Sequence, residues 1–286
     1  MSKTIIIASE SSNLYTTKRL IAEANKLHLL PVHLNPFTHD LKIKENLSLK
    51  NTASHYIFRT TGIRFDDMDL LVAKYFAAGG TKIINPLGPL IENRNKDIAL
   101  FNLSLGKLPI IETVVFRGKI NDDIKKAILH LKANEKYILK MNRGNQGIGV
   151  QLINGTDSLL SILETYHALN DQKFHLQPYL PHQQEFRILL TENKILGVVE
   201  KMKRPEDFRG NAKRAKTKLI KKHDPVLIEL AEKALKQLKY HYAGIDIIKT
   251  NDGYKILEVN SIPGFESIEQ LSDKNIAKEL LLDFLK

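Results

Sequence analysis

Cysteine and tryptophan are both absent from this chain of 286 residues. Without cysteine, the protein has no disulfide, no thiolate nucleophile and no thiolate metal ligand. Aromatic residues make up only 7% of the sequence, which disfavours the stacking surfaces that bind single-stranded nucleic acid. Long apolar runs are also missing, because none approaches the roughly 20 residues that span a membrane. The run Ile5–Ala8 is too short for a signal peptide, so we expect a soluble cytoplasmic protein.

Positive charge is in excess, with a formal net charge of +11 at pH 7. Such a charge favours a polyanionic partner, an acidic substrate or non-specific attraction to RNA. A non-catalytic RNA-binding protein is the alternative of another class, although the sequence contains no RNA-recognition signature. Ten basic residues crowd one segment, against Glu206 and Asp207 alone: Lys201, Lys203, Arg204, Arg209, Lys213, Arg214, Lys216, Lys218, Lys221 and Lys222. This segment is either a solvated loop or a surface that faces an anion.

The first 88 residues alternate predicted strands and helices. A strand over Thr4–Ala8, a helix over Tyr15–Lys26 and a strand over Leu29–Leu34 form a βαβ unit, which indicates a parallel sheet. A helix over Asp66–Ala78 and a short strand over Lys82–Asn85 continue the pattern. We predict an N-terminal α/β domain over residues 1–88.

Two further units are predicted, a central lid over residues 89–177 and a C-terminal unit over residues 178–286. The predicted helices run over Asn95–Leu105, Asn121–Ala133, Leu159–Ala168, from Asp224 onward, and over Asn275–Leu285. The predicted strands run over Ile110–Val115, Tyr137–Met141, Val150–Ile153, Phe174–Gln177, Glu185–Thr191 and Lys194–Lys203.

Two β-branched, apolar segments near the C-terminus flank the turn residues 251–253. Asn and Asp followed by Gly between two such segments predict a β-hairpin, and a three-residue loop with Gly in its third position is a favoured connection. With that loop, Thr250 pairs with Tyr254. A two-residue loop would place the acidic residues of the two strands on opposite faces instead.

The three-residue loop places Asp246 opposite Glu258, and Asn260 shares their face because side chains alternate along a strand. Like charges in such a pair are destabilising, so a cation between them is one interpretation. All three side chains offer hard oxygen ligands of the kind that Mg²⁺ accepts beside nucleotide phosphates. The alternative is an exposed hairpin whose two carboxylates face water.

A glycine-rich segment follows the predicted strand that ends at Met141. Gly144, Gln146, Gly147 and Gly149 belong to the run Gly-Asn-Gln-Gly-Ile-Gly, whose backbone amides can approach a phosphate closely. A flexible turn is the alternative. Because a strand rather than a helix follows, we predict a β-loop-β flap, not a Rossmann or Walker loop.

Two lysines are candidates for contact with the same phosphates. Lys140 alternates with Ile138, so it shares the face of a residue expected in the core, where a lysine is costly unless an anion pairs with it. Lys96 follows Asn95 at a predicted helix start, a position that attracts phosphate but that most often faces solvent.

Four motifs in this order resemble those of the ATP-grasp carboxylate–amine ligases, and within them the RimK-type α-L-glutamate ligases that modify ribosomal protein tails. The motifs are Gly144–Val150, Asp207–Asn211, Ala243–Ile247 and Glu258–Gly264, and the N-terminal segment Leu14–Leu20 is similar as well. The resemblance implies an α/β (α+β) ATP-grasp fold with an N-terminal parallel-sheet domain, a lid subdomain and a C-terminal antiparallel-sheet domain.

The resemblance also implies a site. ATP would be bound by Lys96, Lys140, Gly144, Gln146, Gly147, Gly149, by the hinge residues Gln177, Pro178, Tyr179 and Leu180, by Glu185 at the ribose, and by Arg209 and Asn211. Arg187, Arg209 and Asn211 would act on the reacting groups. Asp246, Glu258 and Asn260 would bind Mg²⁺, with Mn²⁺ as an alternative.

The chain departs from the family pattern at several places. Pro178 stands where the hinge usually carries an acid, and it lacks an amide donor, so adenine would use the carbonyl of Pro178 and the amide of Tyr179 or Leu180. The segment Ala215–Thr217 and Ile262 also differ from the usual residues. These departures affect residues expected to contact the acceptor substrate more than residues expected to bind the metal, so they bear on the identity of the substrate rather than on catalysis.

The implied function is ATP-dependent formation of an amide or isopeptide bond through an acyl-phosphate, with glutamate or a similar amino acid added to an acidic protein or peptide tail. Ligation onto a small metabolite, amino acid or coenzyme is the alternative within the fold. A homo-oligomer, either dimer or tetramer, is expected. Arg59, after a predicted strand, belongs either to a strand-end turn or to the acceptor pocket.

Overall fold

The structure, a computed structural model, describes residues 3–44, 53–60, 67–117, 120–131, 135–141, 149–169, 173–181, 184–202 and 216–286. Its strands are β1 Thr4–Ala8, β2 Leu30–Leu34, β3 Ala53–Phe58, β4 Lys82–Ile84, β5 Val114–Arg117, β6 Lys136–Met141, β7 Val150–Asn154, β8 Lys173–Pro178, β9 Gln184–Thr191, β10 Ile195–Lys201, β11 Thr217–Leu219, β12 Tyr242–Thr250 and β13 Gly253–Asn260.

The helices are α1 Tyr15–Lys26, α2 Met68–Ala78, α3 Leu87–Asn93, α4 Lys96–Leu105, α5 Asp122–His130, α6 Thr156–Leu169, α7 Pro225–Gln237, α8 Glu266–Leu271 and α9 Ile276–Phe284. Polar caps explain where several begin. The side chains of Asn95, Asn121 and Asp224 each accept a hydrogen bond from a backbone amide in the first turn of the helix that follows. Within the described residues, no helix combines the length and the hydrophobicity needed to cross a membrane.

The N-terminal sheet has the strand order β2-β1-β3-β4, and every pairing in it is parallel. The predicted βαβ unit is therefore confirmed. Ile5 and Ile7 on one face of β1 and Ile6 on the other are all buried, each side in a different hydrophobic cluster. Burial on both faces is typical of a parallel sheet.

The central sheet is antiparallel, with the order β5-β8-β6-β7. Its core includes Tyr137, Leu139 and Leu176. The predicted strand over Ile110–Val115 is wrong in its first part, because β5 begins at Val114. Ile110 instead forms a parallel bridge with Ile256, so this segment runs along the C-terminal sheet.

The C-terminal sheet has the order β11-β10-β9-β12-β13 and is antiparallel throughout. One face packs against α7 and α4, for example Ile188 and Ile245 against Leu227 and Ala99. The other face places Leu189 and Val199 in the same cluster as residues of α1 and α9. The three sheets agree with the predicted architecture, while the predicted boundaries at residues 88 and 177 stay a prediction.

The hairpin of β12 and β13 differs from its prediction at the turn. Thr250 pairs with Gly253 rather than with Tyr254, so the connection has two residues. The register then shifts between Asp246 and Ile247, because β13 contains one extra residue at Leu257. After this bulge Asp246 lies opposite Glu258, which is the pairing that the three-residue loop had predicted.

Asn85, directly after β4, joins the N-terminal sheet to the C-terminal one. Its Nδ2 donates to the carbonyl oxygens of Tyr242 at 2.7 Å and Ser261 at 2.8 Å, and its Oδ1 accepts from the amides of His241 and Tyr242. Asn85 is 3% exposed, so water cannot replace its side chain as the hydrogen-bond partner of these backbone groups.

We expect Asn85→Ala to lower the free energy of unfolding by about 3 kcal/mol, because buried groups left unpaired cost about 1–3 kcal/mol each. Urea titration would measure the loss. Asn25→Ala, at an exposed position of α1, should change the stability by less than about 0.5 kcal/mol. An Asn85→Ala protein as stable as the wild type would contradict this role.

Candidate active site

Asp246 lies at the centre of a row of charged side chains on one face of the C-terminal sheet. It is 1% exposed and pairs across the sheet with Arg187 of β9 on one side and Glu258 of β13 on the other. Arg187 donates from Nε to Oδ1 and from a terminal nitrogen to Oδ2 of Asp246, both at 2.8 Å. This two-pronged contact fixes the carboxylate beside Glu258.

Lys201, at the end of β10, extends the row. Its Nζ donates to Glu185 at 2.7 Å and to Oδ2 of Asp246 at 2.8 Å, and the residue is 5% exposed. Lys201 is therefore a buried strand residue, although sequence analysis grouped it with the basic segment. Alternation with the buried Val199 on β10 is the signal that could have separated it.

Two further lysines approach the row from other elements. Lys96, the first residue of α4, places its Nζ 3.0 Å from Oε1 of Glu258. Part of the Lys140 side chain is solvent-exposed. Burial nevertheless lowers the pKa of its ammonium to about 8, even though Glu258, Glu185 and Asp246 partly oppose that shift. The structure thus brings together Lys96, Lys140, Glu185, Arg187, Asp246 and Glu258, all of which were predicted site residues.

The predicted reason for Lys140 is wrong in one respect. Tyr137 and Leu139 point into the core of the central sheet, while Ile138 is only half-buried. Lys140 therefore shares the face that is turned away from that core, and it does not occupy a core position. Because of this orientation, the ammonium of Lys140 interacts electrostatically with Glu258.

The buried charges hold one another ionised. Burial alone would raise the pKa of Asp246, but Arg187 and Lys201 outweigh it and hold that pKa well below its ordinary value. Burial likewise opposes the charge of Arg187, yet Asp246 more than compensates and raises the pKa of the guanidinium. At neutral pH both groups are charged, so the row carries carboxylates next to cations.

The hinge predicted to meet adenine lies at the end of β8 and just beyond it. Gln177 is 2% exposed, and its Nε2 donates to Oγ1 of Thr113 at 2.8 Å. The amide of Tyr179 donates to the carbonyl oxygen of Lys136 at 2.8 Å. That amide is consequently not available to adenine, which leaves the amide of Leu180 of the two that were predicted. Pro178 is buried and pairs with β6, and Leu180 is half-buried.

The flap prediction can be followed only at its edges. Strands β6 and β7 form an antiparallel pair in which Lys140 lies opposite Val150, as a β-loop-β unit requires. Gly149 precedes β7 with φ of 78°, a conformation that glycine adopts readily. Gly144, Gln146, Gly147, Arg209 and Asn211 lie outside the described residues.

A contact that sequence analysis missed joins the lysine-bearing helix to the central sheet. Asp97, next to Lys96, forms an ion pair with Lys173 and contacts Nε2 of His175, both of them on β8. Burial tends to raise the pKa of Asp97, but His175 and Lys173 lower it overall. His175 is also the residue that pairs with Lys140 across the sheet, so one contact positions both site lysines.

The oxygen donors fit a magnesium ion by their chemistry. Within the described residues, no group of three or more His, Cys, Asp or Glu side chains could hold a metal ion, so the predicted set depends on an amide as its third ligand. A carboxylate offers about four lone-pair positions, and the protein contacts of Asp246 occupy three of them. Oδ1 of Asn260 accepts from the amide of Ile262 at 2.9 Å, which orients this oxygen.

The sequence pattern of the RimK-like ATP-grasp domain matches residues 95–284, which is well over half of the chain. This protein belongs to the RimK-like ATP-grasp family. As a member of that family it is an ATP-dependent ligase, and the resemblance found in its motifs is confirmed.

Individual relatives agree with the family match. A probable alpha-L-glutamate ligase from Coxiella burnetii is 27% identical over 295 residues, which cover 99% of this RimK-like chain and 95% of that protein. The ATP-grasp ligase PsnB, complexed with a minimal precursor, Mg and ADP, superimposes with a TM-score of 0.73 at 14% identity, over 98% of this chain and 96% of that one. A RimK domain protein from Sphaerobacter thermophilus gives a TM-score of 0.68 at 19% identity, over 98% and 100% of the two chains. These structures confirm the predicted ATP-grasp fold.

Proposed function

We propose that this ligase forms an amide or isopeptide bond through an acyl-phosphate, adding glutamate or a similar amino acid to an acidic protein or peptide tail. The observation that carries the proposal is the charged row, in which Asp246 and Glu258 lie opposite each other within reach of Lys96 and Lys140. The name of the Coxiella burnetii relative supports the amino acid, and the precursor peptide bound in another structure of PsnB supports a peptide acceptor.

In the first step, an oxygen of the acceptor carboxylate attacks the γ-phosphorus of ATP, and ADP leaves. In the second, the amine of the amino acid attacks the acyl carbon and loses a proton, and inorganic phosphate leaves. Phosphoryl transfer needs positioned charge more than covalent help from the protein. This agrees with a chain that has no cysteine and whose site is built from charged side chains.

Each group of residues has one task in this proposal. Asp246, Glu258 and Asn260 would hold Mg²⁺, or Mn²⁺ in its place, and the ion would supply positive charge beside the β- and γ-phosphates. Lys140 and Lys96 would bind the phosphate oxygens from two different elements.

The remaining tasks concern the nucleoside and the reacting oxygens. Glu185 would accept from the ribose hydroxyls, and the backbone of residues 177–180 would meet the adenine edge. Arg187 would steady the oxyanion that develops at the acyl carbon. Gly149 and the other flap glycines would cover the phosphates, while Arg209 and Asn211 would hold the acyl-phosphate.

The acidic acceptor is inferred from charge. Beyond the net charge of +11, Lys218, Lys221 and Lys222 are exposed along and after β11, at the edge of the sheet that carries the charged row. Exposed lysines attract an acidic tail over distances of about 8–10 Å at physiological salt. A cytoplasmic location and a dimer or tetramer stay predictions.

A screen of ADP release would test the proposed function. Each of the twenty amino acids would be offered with ATP, Mg²⁺ and either a glutamate-rich peptide or small carboxylate acceptors, and products would be weighed by mass spectrometry. The expected result is ADP release that needs both glutamate and the acidic peptide. Turnover with small acceptors alone would instead establish a metabolite ligase, and no turnover with any pair would overturn the proposal.

We expect added salt to raise the KM for the acidic peptide far more than the KM for ATP. Surface charges are screened by salt, whereas the partly buried phosphate site is screened much less. Lys221→Gln with Lys222→Gln should raise the peptide KM several-fold. The matched double variant Lys125→Gln and Lys126→Gln, which removes the same charge from exposed positions of α5, should leave it unchanged. A peptide KM that does not respond to salt would refute the acidic-tail acceptor.

A further inference from the structure

Arg59 extends from the edge of the N-terminal sheet towards the loop that follows β13. Its backbone continues β3, with its amide donating to the carbonyl oxygen of Ala8 at 2.8 Å. In open parallel sheets, ligands bind outside the carboxyl ends of the strands, and Arg59 stands at such an end. Its guanidinium donates to the carbonyl oxygen of Pro263 at 2.9 Å, three residues beyond Asn260.

Among the residues that the structure describes, no carboxylate acts on the guanidinium of Arg59. Its Nε is buried and makes no hydrogen bond with these residues. Burial lowers the pKa of Arg59, and in the described parts of the chain only Tyr242 opposes that shift. Burial raises the pKa of the Tyr242 hydroxyl itself, so this group is neutral at pH 7 and supplies no counter-charge. A buried charge without a partner is strongly unfavourable, so a ligand that supplies the charge would be bound tightly.

The surroundings of Arg59 contain a second arginine, which differs from Arg59 in having a carboxylate partner. Burial raises the pKa of the Tyr242 hydroxyl, and Arg59 and Arg187 both oppose that rise, so both guanidinium groups lie near the same hydroxyl. Arg187 is paired with Asp246 through two hydrogen bonds. Of these two arginines, Arg59 is the one without a carboxylate partner in the described part of the chain.

Arg59 is also rigidly supported on both sides. The hydroxyl of the next residue, Thr60, donates to Asp69 at 2.7 Å, and Arg94 holds that buried carboxylate with two further hydrogen bonds. On the other side, a Cβ added to Gly244 would lie 2.8 Å from Cβ of Pro263. The loop that Arg59 touches is thus packed closely against β12.

We propose that Arg59 binds a substrate carboxylate that is not itself activated, holding that substrate between the N-terminal sheet and the charged row. A guanidinium presents parallel N–H donors that match a carboxylate. This carboxylate belongs either to the incoming amino acid or to the peptide acceptor. The inference rests on the proposed ligase function, and it adds the residue that recognises the substrate.

Substrate pairs that differ by one charge would test the proposal. The value of kcat/KM would be compared for L-glutamate and its α-amide, L-glutamate and its γ-amide, and an acceptor peptide with a free or amidated C-terminus. In the wild type, one pair should differ by roughly 10- to 100-fold, the range of a charge-assisted hydrogen bond. That pair identifies the source of the carboxylate. For that pair, Arg59→Met should reduce the ratio of kcat/KM between the carboxylate and the amide to near one, and Arg59→Lys should give an intermediate ratio.

Tyr242→Phe is the control for a merely structural role. It removes the other side chain that donates to the carbonyl oxygen of Pro263, at 3.0 Å, and it should preserve the discrimination between carboxylate and amide. An Arg59→Met enzyme that keeps the wild-type ratio would overturn the proposal. So would a change confined to the KM for ATP, which would make Arg59 a phosphate ligand.

Binding of glutarate, measured by calorimetry with the full chain, separates this proposal from the ligase function because it needs no turnover. We expect glutarate to bind the wild type at least 10-fold more tightly than Arg59→Met. If no substrate pair releases ADP but this difference is found, the proposed function falls and the carboxylate site stands. Equal affinity, or no binding to the wild type, overturns the site.

Discussion

Glu258→Gln is expected to reduce turnover by about 100-fold or more without unfolding the protein. The substitution keeps the shape of the side chain and removes one of two carboxylates that would hold the metal. Even the loss of a residue that only supports a metal ligand costs about 10- to 100-fold. Glu258 is 29% exposed and its ion pair is with Lys96, a contact near the surface that contributes little to stability. Initial rates of ADP release at several Mg²⁺ concentrations would measure the effect.

Glu232→Gln is a matched control for this prediction. Glu232 lies on the exposed face of α7, so the same chemical change is made away from the charged row. Its rate and its dependence on Mg²⁺ should equal those of the wild type. A Glu258→Gln enzyme with a near-normal rate at all Mg²⁺ concentrations would remove Glu258 from the metal site.

Asp246→Asn should lower the free energy of unfolding by about 3–5 kcal/mol at pH 7. Breaking a buried ion pair leaves charges that water cannot solvate, and here both Arg187 and Lys201 would lose their shared partner. Urea titration would measure the loss. Adding Arg187→Met to Asp246→Asn should restore part of the stability, because the guanidinium that has lost its hydrogen-bonded carboxylate is then removed. Lys201, in contrast, keeps its contact with Glu185. Additive losses in the double variant would show that the two residues are not coupled.

The same contact has a defined pH dependence. The pKa of Asp246 is lower in the folded protein than its ordinary value of 3.8. The stabilisation is therefore complete above about pH 4 to 5, and it is lost as the pH falls from there through the lower pKa of the folded state. The stability difference between wild type and Asp246→Asn should accordingly narrow as the pH falls from 5 towards 3.

Local patterns predicted much of the fold. The strand Thr4–Ala8 and the helix Tyr15–Lys26 have the bounds that the sequence indicated, because apolar periodicity and turn residues are local signals. Ile110 was misassigned for the opposite reason. Its bridge to Ile256 depends on a residue 146 positions away, and no local preference announces such a contact.

The site was predicted best where its residues lie on one hairpin. The pairing of Asp246 with Glu258 was predicted correctly, although a two-residue turn and a bulge replace the three-residue loop on which that prediction depended. Lys201 could not be assigned to them because its partners come from β9 and β12. Asn85 and Asp97 escaped notice for a similar reason, since each makes its contacts with distant elements. The assignment of roles in catalysis stays a prediction throughout.

Because of the bulge at Leu257, the pairing of Asp246 with Glu258 depends on the total number of residues in the turn and in the bulge together. Two arrangements bring the same two acids together. One is a two-residue turn followed by a bulge of one unpaired residue, and the other is a three-residue turn with no bulge. If the turn gains one residue, the two acids stay opposite each other only if the bulge is lost. If a three-residue turn loses one residue, a bulge is needed to keep them opposite. In sequences related to this one, gaps at the tip of the ribbon and gaps beside the second acid should therefore compensate for each other.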